Sequence, residues 1–271
     1  ARWTFARALW QDFAMAKAIA ELTKLARITR MILTHYFKAL SGNKESREFF
    51  TGLYLGHVWS GRFSVPEKAL PVKKVEELLP GINRSFIQTY SAFDTLRENH
   101  FDEKRGYLQS PFELTVLCAL AKFFAPKNVF EFGTYRGWTI ANLALNLPEG
   151  SELTTLDIFT LPIEDEFIGR VFAEKKIKRL VGDSRIYDFS TLNGSIDFIF
   201  IDADHSKEAV ERDSRNALAM LSARGTILWH DYNPLIPGVV EHLEELQNEI
   251  KIFQIFRTSI AIYSRDPRIV G

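Results

Sequence analysis

VFEFGTYRGWTI, residues 129–140, runs an apolar strand-like stretch into two glycines four positions apart and then into sequence with helical spacing. A glycine turn between a strand and a helix is either a phosphate cradle, a seat for another nucleoside ligand, or a tight turn with no ligand at all. The cradle for a bridging pyrophosphate is written GxGxxG, and its central glycine lets the backbone approach the phosphates. Counting from Gly133, that central position holds Tyr135, whose side chain hinders the approach. Two acids frame the turn instead. Glu131 precedes it, and Asp157 ends the next strand candidate about twenty residues on, where an acid grips ribose hydroxyls through charge-assisted hydrogen bonds. The residues therefore favour a nucleoside carrying a positive group over a phosphate-bridged dinucleotide.

Outward from this stretch the chain alternates. Strand candidates NVFEF (128–132), ELTTLDI (152–158), IKRLV (177–181), IDFIFID (196–202) and GTILWHD (225–231) are separated by segments with helical spacing. That is the pattern of a parallel sheet covered by helices on both faces. A helix is expected to precede the first strand: in SPFE, Ser110 stands at an N-cap, Pro111 in the first turn and Glu113 where it closes a capping box, with the helix running to about Phe124 and stopping before Pro126. Near the end, GVVEHLEELQNEI puts Val239, Leu243, Leu246 and Ile250 on one helical face. KIFQIF (251–256) and SIAIYS (259–264) then follow so closely that they pair only as antiparallel neighbours, since a parallel crossover needs a dozen or more residues. The expected fold is α/β, a doubly wound, seven-stranded, mostly parallel sheet with an antiparallel last strand.

The 271 residues, 46% hydrophobic and 25% charged, suffice for one sizeable core. Residues 1–107 carry 17 basic against 11 acidic side chains and residues 108–271 carry 17 against 23. This asymmetry suggests two parts: an N-terminal helical region over 1–107, which covers an acceptor site or makes an oligomer contact, and a ligand-binding domain over 108–271. Amphipathic spacing from Trp3 to Leu40 and in FIQTYSAFDTLRENH (86–100) predicts helices. No apolar run is long enough to span a bilayer and no signal-peptide pattern opens the chain, so the expected location is cytoplasmic. The basic face of residues 1–40 reads as a solvated face, with contact to an anionic membrane surface as its alternative. Basic residues are not interleaved with aromatics, which argues against nucleic acid as a partner. Cys118, the single cysteine, lies in an apolar run and reads as a buried packing residue.

Ligands of open α/β sheets bind beyond the carboxyl ends of the strands, and polar residues gather there: Glu131 to Gly137, Asp157, Gly182 with Asp183, Asp202 to His205, and His230 with Asp231. As a set, EFGTYRG, TLDI, VGDS and IDADHS resemble the motif series of the class I S-adenosylmethionine-dependent methyltransferases, with their Rossmann-like fold. ILWHDYNPLIPGVVEHLEEL and TSIAIYS are similar to a small-molecule O-methyltransferase subgroup with a DADHS and WHDY pattern. The resemblance covers residues 108–271. It implies S-adenosylmethionine as cofactor and a small molecule as acceptor. It also implies Glu131, Gly133 and Gly137, with Thr134 in the same turn, around the methionine part, Asp157 on the ribose, Asp183 with Ser184 and the preceding Gly182 near the adenine, and Asp202 close to the sulfonium and the acceptor. Arg136 departs from this scheme, because its charge must point away from the sulfonium or toward the methionine carboxylate.

Proton removal from the acceptor falls to His205 or His230, since imidazole titrates near neutral pH. Asp202, Asp204 and Asp231 form the alternative, a magnesium site that lowers the acceptor's pKa. Catechol-type methyltransferases follow the second aspartate with an asparagine, whereas Tyr232 stands here. His205 as a helix cap and His230 as a core histidine are the bland readings. His35, His57, His100 and His242 are expected in surface or packing roles. An NAD-dependent oxidoreductase on a similar fold and a non-catalytic interaction protein are the rival functions.

Overall fold

A computed structural model describes residues 70–82, 87–89 and 111–269 of the chain. The expected helices between Trp3 and Leu40, most of the one over 86–100, and the Ser110 cap lie outside the described residues; the described residues 87–89 are not helical. One compact unit begins at Lys68. Its described elements are β1 (Val72–Lys73), α1 (Val75–Leu78), α2 (Pro111–Phe124), β2 (Asn128–Phe132), α3 (Trp138–Ala144), β3 (Glu152–Asp157), α4 (Glu166–Lys175), β4 (Lys178–Val181), β5 (Ile196–Ile201), α5 (Lys207–Met220), β6 (Leu221–Trp229), α6 (Pro237–Leu246), β7 (Phe253–Ile255) and β8 (Ala261–Ser264).

The strands form one sheet in the order β1-β7-β8-β6-β5-β2-β3-β4. All seven expected strands are present. From β6 to β4 every pairing is parallel, while β8 runs antiparallel to both β6 and β7, which makes the expected hairpin. β1 adds an eighth strand, parallel to β7, from a stretch assigned by charge to the helical region. Leu70, Leu78 and Leu79 beside it are buried in the sheet's two cores. Charge balance reports on surfaces, so it cannot see three leucines entering a core.

Strands covered on both faces are near-continuous apolar runs whose alternate side chains serve different layers. Val129, Phe198, Phe200 and Leu228 pack under α2, α3 and α4 with Leu117, Ile140 and Phe172. Phe130, Phe132, Ile199, Ile201, Ile227 and Trp229 point the other way, onto α5 and α6 with Val210, Met220, Val239, Leu243 and Leu246. Trp229 is 1% exposed, and its Nε1 donates to Ser214 Oγ on α5 at 2.9 Å, which satisfies the only polar atom of that ring. Cys118 is fully buried, as its apolar setting predicts, and burial pushes its thiol up to about 12. Among the described residues no helix is long and apolar enough to cross a membrane.

The chain winds outward from β2 through β3 to β4, then returns to place β5 on the other side of β2. The direction of winding therefore reverses between β2 and β5, and in such sheets the crevice above that point receives the ligand.

Candidate active site

The glycine turn sits at this reversal. Gly133 has φ +92°, and a Cβ there would lie 2.0 Å from the Asp202 carbonyl oxygen. Only glycine lets the end of β2 pass the end of β5 so closely. Gly133 N–H donates to Leu156 O, and Asp202 N–H donates to Phe132 O, so the three strand ends are tied together. Gly137, φ +79°, opens α3, and a Cβ on it would meet the Phe172 ring at 2.5 Å. This second glycine is required by packing of the turn against α4.

The acids around the turn divide by environment. Glu131 is 1% exposed, and its Oε2 accepts from Thr155 Oγ1 at 2.6 Å, which lies 2.7 Å from Thr134 Oγ1. Burial, with the negative charges of Asp202 and Asp157 adding to it, pushes the Glu131 carboxyl well above the ordinary range despite the Thr155 bond. Asp157 Oδ2 accepts from Tyr135 N–H at 2.7 Å and its Oδ1 from Phe159 N–H at 3.2 Å. Its carboxylate therefore holds Tyr135 in the left-handed region, φ +45°, at the centre of the turn. Arg136 points to Glu164, Nη1 to Oε2 2.8 Å, which settles the direction of its charge. Gly182 N–H donates to Asp157 O. Asp183 is paired with Arg185 through Nη2 at 2.6 Å, and the guanidinium holds its carboxyl down to about 2. Ser184 O accepts from Asn216 Nδ2 on α5.

The second group of predicted residues converges above β5 and β6. Asp202 follows β5, and His230 and Asp231 follow β6, placed level with it by His230 N–H donating to Ile201 O at 3.0 Å. His205 comes from the loop into α5 and is exposed. Its Nε2 lies 2.9 Å from Asp231 Oδ2 and 3.8 Å from Asp202 Oδ1. His230 is nearly enclosed, with Nδ1 at 3.3 Å from both Asp202 Oδ1 and Asp231 Oδ1. Asp202 and then Asp231 raise the His205 imidazole to about 10. Burial works against a charge on His230, but Asp202 and Asp231 outweigh it and raise this imidazole well above its usual range. The two carboxylates are held below theirs in return. Asp231 adopts φ +58°, a backbone state that costs a non-glycine residue of order 1–3 kcal/mol and that clusters at functional sites.

Two expectations change here. Asp204 does not join Asp202 and Asp231: it is exposed, and its Oδ1 accepts from Ser206 N–H at 2.7 Å, a local bond at the start of α5. Tyr232 is 3% exposed with its hydroxyl accepting from Leu70 N–H at 2.9 Å, so it packs between sheet and β1 and offers nothing to the site. The ligand-capable group the structure assembles is Asp202, His205 and Asp231, with one donor atom from each inside 4.8 Å. His242 is buried, in keeping with a packing role.

Sequence reasoning missed Glu113. Beyond any helix-capping role, it is 4% exposed and reaches across 146 residues: Oε1 accepts from Ser259 N–H at 2.5 Å and Ser259 Oγ at 2.7 Å, while Oε2 faces His230 Nε2 at 3.5 Å. One signal was available. Glu113 shares a helical stripe with Leu117, Leu120 and Phe124, and an acid on a core-facing stripe demands a partner.

Residues 130–232 match a family described as a methyltransferase domain. Taken with the fold, that match makes the enzyme class of this chain an S-adenosylmethionine-dependent methyltransferase. Among curated proteins it is similar to the tapetum-specific methyltransferase 1 of Arabidopsis thaliana, 26% identical over 165 residues covering 58% of this chain and 69% of that one. It is also similar to catechol O-methyltransferase B of Danio rerio, 28% identical over 158 residues covering 55% and 58%, and to a caffeoyl-CoA O-methyltransferase of Zinnia elegans, 35% identical over 100 residues covering 32% and 39%. A solved Corynebacterium glutamicum protein shares the fold with TM-score 0.50 at 12% identity, over 67% of this chain and 93% of that one.

Proposed function

We propose that the enzyme transfers the S-adenosylmethionine methyl group to a hydroxyl oxygen of a small-molecule acceptor. The observation that carries this reading is the convergence of Asp202, Asp231, His205 and His230 at the ends of β5 and β6, directly beside the glycine turn. An oxygen nucleophile must lose a proton as it takes the methyl group, and this cluster is built to hold one. The O-methyltransferases named above support the oxygen acceptor.

The cofactor's ribose is assigned to Asp157, whose carboxylate is already aligned by the turn it holds. Thr134 and Glu131 stand on the methionine side, and Gly182 to Ser184 on the adenine side. Carboxylates at the rim of the site favour the sulfonium over the neutral product. Catalysis then rests on in-line positioning of sulfur, methyl and oxygen, which supplies most of the advantage when reacting atoms are held in contact.

Of the two histidines, His205 is the proton acceptor in this reading. Its side chain is exposed, with Nε2 beside Asp231 and Asp202, whereas His230 is nearly enclosed and both its nitrogens face carboxylates inside the protein. The donor chemistry also fits a divalent cation, held by Asp202 and Asp231 with an imidazole nitrogen as third donor. Bound there, a cation would lower the pKa of the acceptor hydroxyl. With His205 as that third donor, its Nε2 would not also accept the acceptor's proton, so cation and base are alternative uses of the same nitrogen.

Isothermal titration with S-adenosylhomocysteine, followed by methyl-transfer assays on a panel of phenols, sugars and carboxylic acids, tests the proposal. Micromolar cofactor binding with turnover on a hydroxyl acceptor is expected. Folded protein that binds no cofactor at about millimolar concentration, well above the usual range for such ligands, would sink it.

A further inference from the structure

From the contacts of α5 with the turn after β4 we infer that Asp213 makes Ser184 a hydrogen-bond acceptor toward the bound nucleobase, so that the enzyme selects a base carrying an exocyclic amine, adenine, over one carrying a carbonyl in its place, hypoxanthine. This rests on the adenine side assigned above and goes beyond it in naming the group that reads the base and the residue that fixes its polarity.

The turn is tied at both ends. Gly182 N–H donates to Asp157 O, and Tyr187 N–H donates to Asp183 O. Between them, Ser184 is held from α5, where Asp213 and Asn216 stand three positions apart and share a face. Asn216 Nδ2 donates to Ser184 O at 3.0 Å, and the Asp213 carboxylate takes the Ser184 hydroxyl. The helix is fixed to the sheet in turn by Ser214, whose Oγ accepts from Trp229 Nε1. Backbone and side chain of Ser184 are thus oriented together by one rigid element.

Asp183, the neighbouring acid, has no acceptor position left for a base. Its Oδ1 accepts from Arg185 N–H at 3.0 Å and Nε at 2.9 Å, and its Oδ2 from Nε at 3.0 Å and Nη2 at 2.6 Å. A carboxylate has about four lone-pair sites, and Arg185 fills all of them. Of these two residues, half-buried Ser184 is the one whose side chain can still accept from a ligand.

Asp213 decides what that hydroxyl can do. A hydroxyl has one proton and two lone pairs, whereas a carboxylate only accepts. Ser184 therefore spends its proton on Asp213 and presents lone pairs alone to the crevice. The amine of adenine donates to such a group. The carbonyl of hypoxanthine meets it oxygen to oxygen, with no proton between them. Asp213 is 1% exposed and its Oδ1 makes no hydrogen bond, a costly placement for an acid. An aliphatic side chain would fill the same space without that cost, so what the acid adds is its hold on Ser184.

Calorimetric titration of the full chain at neutral pH with S-adenosylhomocysteine and with its deaminated analogue, S-inosylhomocysteine, tests this. The wild-type protein is expected to bind the adenine ligand at least about 10-fold more tightly, the scale of one unpaired polar contact. Asp213→Leu, which frees the Ser184 proton, and Ser184→Ala, which removes the hydroxyl, should each bring the two affinities within about 3-fold of one another. Asp213→Asn keeps a carbonyl oxygen toward Ser184 and should keep the preference. Asn216→Ala loosens the turn without touching the hydroxyl, so it should weaken both ligands alike; a merely structural Asp213 would behave in the same way. Equal affinity of the wild-type protein for the two ligands, or an undiminished preference in Asp213→Leu or Ser184→Ala, overturns the inference, while S-adenosylhomocysteine binding in the same titration leaves the transferase reading intact. Folded protein that binds neither ligand removes both.

Discussion

Asp213 offers the sharpest test of the electrostatics around Asp183 and Ser184. It lies on α5, is 1% exposed, and its Oδ1 makes no hydrogen bond. Burial raises its carboxyl from 3.8 to about 6; the Ser184 hydroxyl opposes the shift, and the negative charges of Asp204 and Asp183 add to it. Folding therefore favours the protonated acid. Stability from this group is fully present below the unfolded pKa and is lost as pH rises through about 6. A rise from 3.8 to about 6 corresponds to about 3 kcal/mol at full ionisation. The substitution Asp213→Asn presents an amide N–H where the protonated acid presents an O–H, so the variant should mimic the acid form at every pH. The two proteins should unfold at nearly the same temperature at pH 4. By about pH 5 half of the difference should be present, and by pH 7–8 the variant should be ahead by about 3 kcal/mol, or roughly 6–12 °C for a unit of this size. Thermal or urea unfolding across pH 4–8 reads the difference directly, and the contributions of all other titrating groups cancel. Parallel curves, with the gap unchanged from pH 4 to pH 8, would refute the claim that Asp213 is forced to carry a buried charge.

Three further outcomes are expected. In Gly238→Ala the new Cβ would lie 2.2 Å from His205 O and 2.7 Å from Lys207 N, so the loop carrying His205 must move; methyl transfer should fall at least about 10-fold while S-adenosylhomocysteine affinity, read by calorimetry, stays nearly constant. Asp157→Ala removes the acceptor of Tyr135 N–H and the expected ribose ligand together, and cofactor affinity should drop at least about 10-fold, the scale of a charged hydrogen bond of about 1.5 kcal/mol or more. Tyr232→Phe leaves the buried Leu70 N–H without its partner and should cost about 1–3 kcal/mol in urea unfolding. If the tyrosine is only a structural residue, dication affinity will not change.

The sheet was legible because strands buried on both faces must be written as apolar runs, and the helices between them as amphipathic ones. NVFEF and IDFIFID admit no other reading once the glycine turn fixes the first as a strand. β1 was not legible: two residues in a stretch broken by Pro71 and Pro80 carry no periodicity, and only pairing with β7 makes them a strand. The strand-end rule likewise found Asp202, His205, His230 and Asp231, since topology alone brings the ends of β5 and β6 together. It failed where a side chain is claimed by local chemistry. Asp204 looks like a third ligand in DADHS, yet the backbone of Ser206 takes its carboxylate. Glu113 failed in the opposite sense, because a local capping pattern accounted for an acid whose described partners are Ser259 and His230, far along the chain.

These two cases share a cause that also explains how the site divides its labour. A carboxylate is spent locally when a backbone N–H two residues away can reach it, as at Asp204 and Asp183, and both of these are held in the ionised form by that neighbourhood. Carboxylates that reach across the fold depend on what the core supplies. Asp202 and Asp231 find two imidazoles and stay ionised. Glu131, at the other side of the same turn, finds the hydroxyl of Thr155, and burial drives it toward the neutral acid. One end of the crevice is thus already balanced by protein cations, and the other is left with an acid whose ionisation waits on an external positive charge. In the proposed reaction the sulfonium would be that charge, a role for Glu131 that extends the proposal made above.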